Sequence, residues 1–503
     1  MLDALLDGLV LVLHWKAFSL MLVGMGVGFV VGLLPGIGGG ATLALMLPFV
    51  FRMTPAEAFA FLLGMHSVTA TTGDITSILF GVPGEGLSAA TVVDGHPMAK
   101  RGEAGRALGA ALMSSLLGAL IGAATLAVSI PIVRPLVLTF GSPELFMVSV
   151  AGIACITSLS GLGAQGQLRG FAMGLLGLLL STIGQERQSG ALRFDMGLTY
   201  LWDGLELVPV LVGIFAIPEV VDLAVRGTAI AGDRPAEDLQ AGVLEGIKDT
   251  FRHFWLVARC SAIGVFVGIL PGAGGGVAQW MAYAHAVQSA RDARDRRRFG
   301  TGDIRGVLGP GAANNSKEGG DLIPTIAFGV PGSGAMAILL GAFMIMGLVP
   351  GPDMLTKHLA VTFSMVWTLV IANVITVVLA LAILNHLARV THIPGGLIIP
   401  FVLLLVFVGS YTANGQLADL LVTFGFGVLG YFMVRFGWPR PPLVLGFVLG
   451  RLAETYLFIS VARYGLAWLG HPVVILLMAL TGVVIVYPFI QERRRALAGA
   501  ADA

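Results

Sequence analysis

GVGFVVGLLPGIGGG at 26–40 and IGVFVGILPGAGGG at 263–276 are the two passages that decide the fold. Each sets a helix breaker and clustered glycines in the middle of apolar sequence, and Pro35 pairs with Pro271 at an offset of 271 − 35 = 236. A second pair follows in the same order, TGDITSILFGVPGEG at 72–86 and GGDLIPTIAFGVPGSG at 319–334, with Pro83 and Pro331 offset by 331 − 83 = 248. The extra twelve residues fall in the charged insertion RDARDRRRFGTG, 291–302. Two motifs repeated in order point to an ancestral duplication.

The sequence around these passages is that of a membrane protein. Of 503 residues, 56% are hydrophobic and 12% charged, against about 25% charged in an average soluble domain, and the mean hydropathy is +0.88. Apolar runs at 106–130, 143–159, 168–183, 204–225, 359–385, 395–412, 417–434 and 472–490 approach or exceed the roughly 20 residues that carry a helix across a bilayer core. None alternates with period 2 as a membrane barrel strand does. The expectation is an all-α polytopic membrane protein. Its two homologous halves form an inverted repeat with discontinuous helices or re-entrant hairpins, in about 10–14 membrane segments. Residues 1–226 read as the first repeat, the polar stretch 227–250 as the linker, 251–490 as the second repeat and 491–503 as a cytoplasmic tail.

The 30 Lys+Arg nearly balance the 29 Asp+Glu, which argues against nucleic acid or an acidic polymer as partner. Cys155 and Cys260, the two cysteines, stand in apolar contexts without the spacing of a zinc site or a disulfide framework. His66, His96, His285 and His358 also lack ligand spacing. The N-terminus, with Asp3 and Asp7 where a signal peptide carries positive charge, reads as a retained interfacial or membrane helix. Arginines at 291–298 and 493–495 favour the cytoplasm, and Lys100, Arg101 and Arg106 make a third positive site.

Broken helices inside a membrane free backbone groups that no water can satisfy, so they persist only when covered by protein or lining a wet cavity. At matching positions of two halves they point to a transport site, where freed amides attract anions and freed carbonyls hold cations. The candidate substrate residues in the breaks are Pro35, Gly36, Gly38, Gly39, Gly40, Pro83 and Gly84 in the first half and Pro271, Gly272, Gly274, Gly275, Pro331, Gly332 and Ser333 in the second. Asn314, Asn315, Ser316 and Lys317 join them: the amides could donate to a carboxylate and Lys317 could neutralise it, unless Lys317 and Glu318 merely pair at a loop surface. Asp74, Thr76, Ser77 and Asp321 are the candidates for a coupling ion. Asp74 and Asp321 each follow a glycine and could equally cap a short helix.

These same passages resemble the tripartite tricarboxylate transporter large-subunit family, the TctA type. The similarity runs through LLPGIGGGATLALMLPFVFRMTPAEA (33–58), FGVPGEGLSAATVVDGHPMAKRGEAGRALGAAL (80–112), GILPGAGGG (268–276) and GPGAANNSKEGGDLIPTIAFGVPGSGAMAILLGAFMIMGLVPGP (309–352), and covers nearly the whole chain. The family's LPGxGG motif falls on Pro35 to Gly40. Its PGxxxSxxTxxDGxPMA motif falls on Pro83, Gly84, Ser88, Thr91, Asp94, Gly95, Pro97 and Met98, and AANN on Ala312 to Asn315. The resemblance implies a non-enzymatic permease of a bacterial inner membrane. It would import a small carboxylate on a Na⁺ or H⁺ gradient, without other cofactors or an ATPase. Its partners would be a small TctB-type membrane subunit and a periplasmic TctC-type substrate-binding protein. The rival readings are a passive anion channel and an intramembrane aspartyl hydrolase. The latter's GxGD signature lacks its first glycine at both Thr71-Thr72-Gly73-Asp74 and Glu318-Gly319-Gly320-Asp321.

Overall fold

The computed structural model describes residues 1–33, 38–81, 88–159, 163–186, 189–226, 239–240, 242–271, 274–384 and 395–501. Its first half carries α1 (Leu2–Leu13), α2 (Trp15–Gly32), α3 (Gly39–Met46), α4 (Pro55–Phe80), α5 (Ala89–Lys100), α6 (Ala104–Val137), α7 (Ser142–Leu159), α8 (Gly163–Ser181) and α9 (Leu207–Arg226). Then come α10 (Val243–Arg252), α11 (Phe254–Ile269), α12 (Gly274–Gln288), α13 (Ala293–Arg296), α14 (Arg305–Phe328), α15 (Gly334–Ile345) and α16 (Leu359–Ala382). The chain closes with α17 (Gly395–Asn414), α18 (Leu417–Arg435), α19 (Arg440–Tyr464) and α20 (Pro472–Ala501). Strand structure among the described residues is one short antiparallel ladder, Gly184–Gln185 with Leu192–Arg193.

Five of these helices are long and apolar enough to cross a membrane: α2, α6, α16, α18 and α19. The pair α10 and α11, bent by 79° at His253, makes a sixth if counted as one span, and shorter apolar helices accompany them. Leu22, Leu136, Leu175, Leu179, Val378, Leu421 and Val483 stand exposed, an apolar exterior that water would not tolerate on this scale and lipid favours.

Two long helices, α4 and α14, lie in the middle and are buried over nearly their whole length. They escape a search for apolar runs because serines, threonines and charges are spread along them. Both end in the same way, in a left-handed glycine that no side chain would adopt cheaply: Gly81 at φ 69° and Gly329 at φ 68°, again 248 apart. The sequence reading placed a short helix ahead of each break; the structure has a 26-residue and a 24-residue helix there. Asp74 and Asp321 lie inside these helices, so neither caps a helix that follows.

The helix before each LPG break packs on its long partner in matched register. A methyl group on Gly28 would strike the Met65 carbonyl, and on Gly264 the Ala313 carbonyl; on Gly32 it would meet the Thr69 carbonyl and on Gly268 the Lys317 carbonyl. The glycines are 236 residues apart and the carbonyls 248, the two offsets of the sequence motifs. One step further on, Gly24 meets Phe61 while Cys260 meets Gly309, the small residue having changed sides.

The halves interlock. Helix α1 packs on α16 while α10 packs on α6; α3 packs on α15 while α12 packs on α5; α4 reaches α16 while α14 lies along α6. Each element thus touches the counterpart of its own counterpart's partner, the pattern a twofold relation between halves generates. Residues 243–250 of the polar inter-repeat stretch are the start of α10.

Candidate functional site

The polar residues of α4 and α14 meet at the centre of this interlock. Asn315, 1% exposed, donates to Thr71 Oγ1 at 2.7 Å and to Asn373 Oδ1 at 2.6 Å, and its own Oδ1 accepts from the Ser115 hydroxyl at 2.7 Å. One side chain therefore ties α4, α6 and α16 to α14. Next to it, Asn314 donates to the Ala70 carbonyl at 2.9 Å. Its carbonyl oxygen is buried and has no hydrogen-bond partner among the described residues.

One turn on, Lys317 Nζ lies 3.1 Å from Asp321 Oδ2, with side-chain exposures of 1% and 0%. Removing one member of a buried ion pair costs about 3–5 kcal/mol, because the charge left behind loses its opposite. Two breaks converge on Asp321. Gly268, just before the LPG turn of α11, and Gly332, in the PGSG turn, both lie so close that a Cβ on them would stand 3.0 and 2.9 Å from the carboxylate Oδ1. The 329–333 loop thus runs back along α14 and brings Ser333 beside Asp321. Ser333 also caps α15 by accepting from the Met336 amide at 3.4 Å.

Glu318 points the other way, into the first half. Ser67 donates to its Oε2 at 2.6 Å, and His66 Nε2 lies 3.9 Å from its Oε1, all three buried. The reading of Lys317 and Glu318 as a pair at a loop surface fails on this geometry, since both are buried mid-helix and each faces a different partner.

The remaining expectations divide. Pro331, Gly332 and Ser333 are buried with the Lys317–Asp321 pair, and Pro271 ends the α11 segment that touches it. Gly274 and Gly275 open α12. Ser316 turns to the Ala313 carbonyl and to α11 at Gly264, a packing position. In the first half Gly38 caps α3, and its carbonyl accepts from the Thr42 hydroxyl at 3.1 Å; Gly39 is buried, and Gly40 faces Ile338 of α15. Thr76 and Ser77 lie 3.0 and 2.9 Å from the Gly73 carbonyl, and the Ser77 hydroxyl also meets that of Ser88 at 2.9 Å, so both are engaged within the protein. Asp74 is 1% exposed on the same helix. Pro35, Gly36, Pro83, Gly84 and Gly272 lie outside the described residues.

Asp94, singled out by resemblance, is a clasp between halves. Its Oδ1 accepts from the Gly302 and Asp303 amides at 2.8 and 2.9 Å, and Oδ2 from the Tyr283 hydroxyl at 3.0 Å. This sets a carboxylate at the positive N-terminal end of α14. Ser115, Tyr283 and Asn373 escaped the sequence reading. A lone asparagine inside the apolar run of α16 was a usable signal, because a membrane helix retains such a group for a reason. Among the described residues no group of three or more His, Cys, Asp or Glu could hold a metal ion.

The family model described as the tripartite tricarboxylate transporter TctA family matches residues 18–445. An uncharacterised 52.8 kDa protein in the TAR-I ttuC′ 3′ region of Agrobacterium vitis is 32% identical over 437 residues, 86% of this chain and 85% of its own length. A second uncharacterised protein of that organism, in the TAR-II ttuC′ 3′ region, is 33% identical over 194 residues, 39% of this chain and 79% of its own length.

Proposed function

Because the chain belongs to the tripartite tricarboxylate transporter TctA family, whose members are the large membrane subunits of such transporters, we propose that it imports a small carboxylate across a bacterial inner membrane on a Na⁺ or proton gradient. Its partners in this reading are a TctB-type small subunit and a TctC-type periplasmic binding protein. The observation that carries it is the buried Lys317–Asp321 pair, set where the LPG and PGSG breaks of the second half meet.

The pair suggests how substrate and ion are coupled. While Asp321 is ionised it holds the Lys317 ammonium, and an entering carboxylate would have to compete with it in a low-dielectric site. A Na⁺ or proton on Asp321 releases the ammonium to the substrate, while Asn314, Ser333 and the broken-helix backbone supply hydrogen bonds. Leaving together restores the internal pair. Substrate and ion entering together leave the net charge of the buried site nearly unchanged, which either alone would not, and that is the condition for tight coupling.

The two halves are taken to be related by an axis in the membrane plane. The face bearing 291–305 is the cytoplasmic one: Arg101 donates to the Thr301 and Gly302 carbonyls at 2.7 and 2.6 Å, so two arginine-rich segments share one face.

The test is uptake of labelled di- and tricarboxylates into vesicles holding this chain and its small subunit, with binding protein outside and a Na⁺ or proton gradient imposed. Accumulation above equilibrium that requires both the gradient and the binding protein is expected. Equilibration without accumulation would make the protein a channel and refute the proposal.

A further inference from the structure

A second charged site lies away from the transport centre, at the bend between α10 and α11. There a cavity of about 530 Å³ opens between the start of α6, the α10–α11 elbow and the loop that follows α12. Six arginines line it, Arg106, Arg252, Arg259, Arg291, Arg298 and Arg305, against three aspartates, Asp249, Asp295 and Asp303.

The aspartates are already engaged. Arg305 spans Asp303 and Asp295 at 2.9 and 2.6 Å, and Asp249 takes Arg106 at 2.7 Å and Arg252 at 3.1 Å. Arg259 and Arg291 have no carboxylate partner among the described residues; the Arg259 Nε donates only to the Trp255 carbonyl, at 3.2 Å. The cavity is therefore a concave surface with surplus guanidinium donors, the geometry that takes a phosphate oxygen pair.

The surroundings identify the carrier of that phosphate. Helix α10 turns 79° away from α11, while Phe251, Phe254 and Trp255 stand exposed at the elbow. An amphipathic helix joined at a sharp bend to an apolar one, with aromatic rings at the joint, is the arrangement of a membrane–water boundary. The acyl chains of a lipid bound there would lie along the exposed Phe266 and Ile269 of α11. The counterpart elbow between α1 and α2 has Lys16, already paired with Glu57 at 3.2 Å, and no arginine cluster.

We propose that this cavity is a binding site for the phosphodiester headgroup of an anionic phospholipid, with Arg259 and Arg291 as its main donors. A lipid held there braces the elbow against α6 and the 291–305 loop, on the face where basic pockets between helices meet anionic headgroups.

Native mass spectrometry of the full chain released from nanodiscs of equal phosphatidylcholine and phosphatidylglycerol tests it. The wild type should retain phosphatidylglycerol in preference to phosphatidylcholine. The double variant Arg259→Gln/Arg291→Gln should lose about tenfold of that occupancy, and Lys357→Gln, a charge removal elsewhere, none. The variant Arg259→Lys/Arg291→Lys, which keeps the charge, should recover part of the binding and guards against a folding defect. Retention of both lipids alike by the wild type, or undiminished retention by the Gln variant, would overturn the proposal. So would full displacement by millimolar inorganic phosphate, which would make the ligand a free anion.

Discussion

Helices α4 and α14 share their packing register and their ending but differ in chemistry. They meet α2 and α11 at glycines in the same register and end in matching left-handed glycines. Yet α4 carries mostly hydroxyls, Ser67, Thr69, Thr71, Thr72, Thr76 and Ser77, many bonded to their own helix, whereas α14 carries Asn314, Asn315, Lys317, Glu318 and Asp321. What the two helix pairs share is what packing demands, the glycines where backbones touch. Side chains that do not set backbone distance differ: α14 buries Lys317, Glu318 and Asp321, where α4 buries Asp74 and, near its start, Glu57. Their N-termini diverged as well: α4 is capped locally by Thr54 and Glu57, while α14 is held by Asp94 from the other half and by the Arg305 ion pairs.

That contrast makes the ion pair the place of largest expected effect. Lys317→Met or Asp321→Leu alone should destabilise the protein by about 3–5 kcal/mol, since each strands a buried charge, whereas the double change should be nearly neutral. Thermal unfolding in detergent measures both, and additive losses would mean that the two charges do not depend on each other. On α4, Thr71→Val should cost only about 1 kcal/mol, the loss of a single acceptor for Asn315.

The shared register predicts a symmetrical and smaller effect. Gly28→Val and Gly264→Val each force a side chain against a backbone carbonyl, at about 1–3 kcal/mol for overpacking, and the two should match within the error of a melting experiment. Sensitivity at one and tolerance at the other would break the equivalence of the two helix pairs.

The smallest effect concerns the anchor of α14. The Arg305 guanidinium and the Arg291 amide hold the Asp295 carboxyl well below the usual carboxylate range. Burial pulls Asp303 upward, but its hydrogen bonds with Arg305 win and bring it below as well. Lowered pKa values mean that this contribution is fully present above the unfolded carboxylate value of about 3.9 and lost as pH falls below it. A spin label at Ala293→Cys should stay immobile from pH 7 to about 4 and loosen only in more acid solution. Loosening complete by pH 4 would contradict the pairing.

The fold was largely legible because composition fixes the solvent and the repeated Pro-Gly breaks fix the duplication. What the breaks suggested wrongly was helix length. Asp74 and Asp321, each after a glycine, could have capped a short helix, but buried glycines inside a helix also let neighbouring backbones approach: Gly319 meets Gly122 and Gly320 meets Val265. The site was half legible. Asn314, Asn315, Lys317 and Asp321 were marked by polarity at membrane depth, but partners such as Ser115 and Asn373 come from remote helices, and no local pattern says which face they share. A Lys317–Glu318 pair at a loop surface was an open alternative because the two are adjacent; the helical period sends the two neighbours to different sides.

The central claim is that the Lys317–Asp321 junction is where substrate and ion are exchanged. Counterflow of labelled carboxylate by the Lys317→Met/Asp321→Leu double variant, reconstituted with its partners, tests it most directly, because the fold of that variant should survive. The account predicts no counterflow from a protein that melts like the wild type. Wild-type counterflow from that variant would contradict it.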